Sequence, residues 1–152
     1  MLTAASAATD ESSLARLAAL SFRHNLWQEA IAVSRRNVAL HPKSPWTHWN
    51  LAHLLAECWQ MDEAEDVLRD AEALAPMPGA ATMRASMAGR RGDADTALEI
   101  YRDLALTDGA QANLASSAAM SALYSDKLNA REVAELHQRL FAPLGEGTRS
   151  TE

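Results

Sequence analysis

Ala30-Ile31-Ala32-Val33-Ser34 … Leu40-His41-Pro42 and Ala64-Glu65-Asp66-Val67-Leu68 … Leu74-Ala75-Pro76 are one pattern written twice, 34 residues apart. A looser third copy starts at Ala97. In the first two copies a proline follows the small residue by twelve positions. A helix has to stop there, because proline has no amide to donate. A period of this size, with two helices inside it, marks helical hairpins that stack on one another.

Working outward, the run from Leu14 ends near His24-Asn25, with Asp10, Ser12 and Ser13 as possible caps before it. A second helix is expected over about Trp27 to Leu40. Ser44-Pro45 reads as N-cap and first helical residue of a third, which reaches about Cys58. Asp62-Glu63-Ala64 opens a fourth, which runs to about Leu74, and Pro76-Met77-Pro78-Gly79 breaks the chain. Residues 80–91 form a helix poor in large apolar side chains. Gly92-Asp93 turns the chain into a helix from Ala94 to about Leu106, and Asp108-Gly109 turns it again. A seventh helix is expected over 111–124. Asn129 and Glu132 have the spacing of a capping box that opens an eighth, which Pro143 and Gly145 end near Phe141. No stretch alternates as a strand does.

The composition narrows the function. Fourteen basic and 20 acidic side chains give a net charge of −6, which argues against the basic footprint of a nucleic-acid binder. Cys58 is the only cysteine. An intrachain disulfide is thereby excluded, and a reducing, cytoplasmic setting is the simplest reading. Cys58 itself is expected to be a buried structural thiol. No leader or membrane-spanning run is visible, so no membrane partner is expected. His48 and His53 are five apart, off the spacing that puts two ligands on one helical face. No metal, no other cofactor and no catalytic set is expected.

The spacing of Ala30, Ala64 and Ala97, with Pro42 and Pro76, resembles the tetratricopeptide repeat. So do Trp49-Asn50-Leu51-Ala52 and Asp62-Glu63-Ala64. The departures are Ser34 where that family prefers an aromatic, Arg84 where it prefers Leu, Trp59 at the turn and Gly109 at the third proline site. The resemblance implies an all-α, tetratricopeptide-like right-handed superhelix of antiparallel helical hairpins, three repeats plus a diverged C-terminal helix pair. Residues 11–143 would form it, between a flexible N-terminus (1–10) and a flexible tail (144–152). First helices line a concave groove in that family. Here they would present Phe22 and Arg23, then Trp46, Trp49, Asn50, His53 and Glu57, then Ser86 and Arg90. Trp46, Trp49 and His53 share one helical face. They offer a contact surface for a protein or an extended peptide segment, or else the indoles pack against the neighbouring hairpin. The stretch 14–19 has neither Lys nor Asn, unlike the repeat proteins that clamp a C-terminal carboxylate.

The stretch from Tyr124 to His137 resembles the segment after the repeats in O-linked N-acetylglucosamine transferase/SPINDLY-like proteins. Tyr124, Leu128, Ala130, Glu132, Val133 and His137 match, Asn129 replaces Ser, and Ser125 replaces a frequent His. That resemblance implies the acceptor- or partner-binding region of a protein glycosyltransferase-type system, without its catalytic half. The alternative is a free-standing cytoplasmic adaptor that self-associates as a homodimer, with Phe141 covered by a second copy.

Overall fold

The structure is a computed structural model that describes residues 9–107 and 111–146. Among these residues there are eight helices and no strand. They are α1 (Glu11–Arg23), α2 (Trp27–Leu40), α3 (Pro45–Glu57), α4 (Met61–Leu74), α5 (Ala80–Arg90), α6 (Ala94–Thr107), α7 (Ala112–Leu123) and α8 (Ala130–Glu146). The chain is therefore all-α. Gly109, at the third proline site, and residues 1–8 and 147–152 of the expected flexible ends lie outside the described residues.

The repeat is visible in the backbone. α1–α2, α3–α4 and α5–α6 are each joined by a three-residue turn. At the centre of each turn one residue takes a left-handed conformation: Asn25 (φ 59°), Trp59 (φ 63°) and Gly92 (φ 84°). The next amide reaches back to a carbonyl five residues earlier: Leu26 N–H to Ser21 O at 2.9 Å, Gln60 to Leu55 at 2.9 Å, Asp93 to Ala88 at 3.0 Å. The left-handed residue's own amide donates to Phe22, Ala56 or Gly89. This pair of bonds is the Schellman closure, which satisfies carbonyls that a helix end leaves without partners. The following helix starts at once, with Ala30, Ala64 and Ala97 donating to Leu26, Gln60 and Asp93. These alanines are 0%, 0% and 1% exposed. Nothing larger than a methyl fits where two helices of a hairpin diverge from so tight a turn.

The fourth pair abandons this device. The segment between α7 and α8 is longer, and α8 is started by the expected capping box. Glu132 Oε2 accepts from the Asn129 amide at 2.8 Å, and Asn129 Oδ1 accepts from the Glu132 amide at 3.1 Å.

The chain divides into two compact units between Ala80 and Ala81. In the first, α1 packs on α2, α3 on α4 and α2 on α3, while α1 also touches α3. Leu14, Ile31, Leu55 and Leu68 are its largest fully buried apolar side chains. Arg35 of α2 forms a two-pronged pair with Glu63 of α4, at 2.8 and 2.9 Å. In the second unit, α6, α7 and α8 close around Leu98, Ala115, Ala118, Ala119, Ala122, Leu136 and Leu140. α5 buries Met83 and Met87 where bulkier apolar groups were not expected, since unbranched methionine fills irregular gaps.

Three expectations are corrected. α8 does not end near Phe141 but runs through Pro143 to Glu146, because Leu144 packs on the second unit's core. Leu144 also belongs with the folded residues rather than with a tail. At the other end, Thr9 and Asp10 are tied in: His41 Nε2 donates to the Thr9 carbonyl at 2.8 Å, and Asp10 caps α1 through the Ser13 amide at 2.8 Å. Ser44 is the N-cap residue of α3 and Pro45 its first helical residue, as expected, with the Ser44 hydroxyl donating to Glu11 Oε1 at 2.8 Å rather than bonding an amide of that helix.

Candidate functional site

α1 and α3 are first helices of successive hairpins, and a cavity of about 450 Å³ lies against both. From α1 come Ala15, Arg16, Ala18, Ala19, Phe22 and Arg23; from α3 come Asn50, His53 and Leu54; α2 contributes Ser34. The spacing explains the convergence. Arg16, Ala19 and Arg23 recur at three- and four-residue intervals on α1, and Asn50, His53 and Leu54 do so on α3, so each set shares one face. The walls are mainly apolar, and the polar groups are two guanidiniums, an amide, an imidazole and a hydroxyl. None of the lining side chains is a carboxylate.

Four of the nine residues expected to form a groove therefore meet here: Phe22, Arg23, Asn50 and His53. Phe22 is steadied by an edge-to-face contact with Trp27, ring centroids 5.0 Å apart. Glu57 lies one turn beyond His53 but lines a neighbouring cavity of about 420 Å³ with Trp27, Cys58 and Trp59. The tryptophan stripe splits. Trp46, on the first turn of α3, is 57% exposed. Trp49 is half-buried and lies over Gly79, where an added Cβ would be 2.7 Å from its ring. Ser86 and Arg90 belong to the second unit, where both lie beside Tyr101 of α6. Burial pushes the Tyr101 phenol up, and the Ser86 hydroxyl and the Arg90 charge pull it back.

Arg16, Ser34 and Leu54 were not expected in a site. Ser34 carried the signal, as a small residue at a position where the resembled family prefers an aromatic. Arg16 stands seven residues before Arg23, and that interval returns to the same helical face.

Cys58 is half-buried rather than buried. Its amide closes the end of α3 on Leu54, which holds the side chain at the surface of the turn. Loss of hydration, then the nearby Glu57 charge, push its thiol above the ordinary range. His48 is buried and donates from Nδ1 to the Ser44 carbonyl at 3.1 Å, while His53 on the other face is exposed. Among the described residues, no three of His, Cys, Asp and Glu come together as metal ligands. None of the described helices is long and apolar enough to cross a membrane. No protein-family model matches the chain, and no curated protein matches it.

Proposed function

We propose that the chain is a protein-recognition module, a right-handed superhelix of tetratricopeptide type that takes an extended protein segment along its first helices. It binds and does not catalyse. The observation that carries this reading is the cavity shared by α1 and α3, where Phe22, Arg23, Asn50 and His53 converge. Concave, mainly apolar sites with a few convergent polar groups are where ligands bind. Aromatic and Arg side chains supply much of the binding energy at protein contacts. The resemblance of residues 124–137 supports a narrower assignment, the acceptor- or partner-binding part of a protein O-glycosyltransferase-type system, in the cytoplasmic setting that a lone cysteine favours.

The test is site-specific photo-crosslinking in a lysate, with a benzophenone side chain at position 53 or 50, and at position 66, which is exposed on α4. Capture of the same proteins from 53 and 50 but not from 66 is expected. Equal capture from all three would overturn the groove. Mass spectrometry of the captured proteins checks the narrower assignment, which requires a protein glycosyltransferase or its acceptors among them.

A second reading, self-association, is favoured by Met120, Leu123 and Tyr124 at the end of α7, which are 57%, 60% and 72% exposed. Sedimentation at two concentrations separates it from the first.

A further inference from the structure

The cavity against α1 and α3 reaches down to Ser34 on α2, which is 3% exposed, and the repeat shows what that position holds elsewhere. Four positions after Ala30, Ala64 and Ala97 stand Ser34, Leu68 and Tyr101. Since the three alanines occupy the same backbone position after the same turn, these three side chains start from equivalent points on α2, α4 and α6. Leu68 is fully buried. Tyr101 packs against the second unit's core. In the first hairpin the chain supplies only a hydroxymethyl group, and Ser34 lines a cavity. The second and third hairpins place a large side chain at this point, and the first leaves room there for one from outside.

The walls define what fits. Ala15, Ala18, Ala19, Phe22 and Leu54 offer an apolar seat, while Arg16 and Arg23 flank it from α1. Seven helical residues separate the two arginines, about 10 Å along the axis. An extended peptide covers that distance in about three residues. Two carboxylates on either side of one inward-pointing side chain would therefore meet the two guanidiniums. The cavity has no carboxylate of its own, although the chain carries a net charge of −6. Glu57, the nearest acid along α3, lines the neighbouring cavity instead.

We infer that this cavity holds one large apolar side chain of an acidic peptide segment, seated against Ser34, with carboxylates within two positions on either side paired to Arg16 and Arg23. This rests on the protein-recognition reading above and supplies the chemistry of the partner.

The experiment screens the full chain against a positional library of acetylated, amidated heptapeptides, followed by fluorescence polarisation with the best binder. Enrichment of Leu, Met, Phe or Tyr at the centre and of Asp or Glu around it is expected. Ser34→Leu should fill the cavity and weaken that peptide at least tenfold, with an unfolding temperature no lower than that of the parent. Ser34→Ala leaves the space open and should bind as the parent does, while the unfolding temperature of the leucine variant separates a filled cavity from a folding defect. Arg16→Glu with Arg23→Glu should reverse the preference toward Lys-flanked peptides. Basic or small central preferences overturn the inference. Binding that survives Ser34→Leu and the double charge reversal but is lost in Trp46→Ala also overturns it, and leaves the groove reading standing. Failure to enrich any peptide overturns both.

Discussion

At position 59 an indole sits on a left-handed backbone (φ 63°), in the turn where the third hairpin has Gly92. That conformation costs an L-residue about 1–2 kcal/mol. Gly92→Ala should therefore lower stability by about 1 kcal/mol in thermal or denaturant unfolding. Trp59→Gly should raise it by up to about 1 kcal/mol, because the relief of strain outweighs the entropy that glycine loses on folding. Next to it, Cys58 is held above the ordinary thiol range by lost hydration and by the Glu57 charge. A raised thiol pKa means less thiolate at neutral pH, and the thiolate is the nucleophile. Alkylation by iodoacetamide, followed by mass, should be slower than for a free cysteine and should accelerate in Glu57→Gln. The position of Trp59 at the turn was legible from the repeat. That it is 67% exposed was not, because the pattern says where a side chain starts and not what surrounds it.

The helices were the most legible level. Trp27–Leu40 and Pro45–Glu57 follow from hydrophobic period and proline placement. The end of α8 was misread because a local stop signal, Pro143, is overruled by the packing of Leu144. Two helices are started by carboxylates whose acidity the cap increases. The Ser13 amide and hydroxyl, then the Ser12 hydroxyl, hold Asp10 below the usual carboxylate range, and the Thr96 hydroxyl and amide do the same for Asp93. A native pKa below the unfolded one gives stability that is present above the ordinary carboxylate pKa and lost as pH falls through the lowered native value. The amides of Ser13 and Thr96 should lose hydrogen-exchange protection over that acid window, and Asp10→Asn should abolish the change at Ser13. Between helices, Gly79 leaves room for the Trp49 ring. Gly79→Ala should displace the indole and shift its emission, read in a protein whose other three tryptophans are phenylalanine. An unchanged spectrum would mean that the ring does not rest there. Ala64→Leu should destabilise by about 1–3 kcal/mol, the usual range for overpacking a filled core.

For the molecule as a whole, each unit has its own core, and its response to damage should be its own. Leu140 is buried among Leu98, Ala118 and Leu136. Leu140→Ala should cost about 2–5 kcal/mol and show first as faster hydrogen exchange in α6, α7 and α8. The convergence of α1 and α3 on one cavity was half legible. Phe22, Arg23, Asn50 and His53 follow from assigning first helices to one surface, while the reach of the cavity to the small Ser34 is legible only as a departure from pattern. The three Schellman turns have a kinetic consequence. Each joins helices that are neighbours in sequence, so little chain entropy is lost before the first favourable contacts form. Helical topologies dominated by such local contacts fold in microseconds to milliseconds. A hairpin of this kind can close as soon as its own thirty-odd residues have left the ribosome, with no need to wait for the rest of the chain.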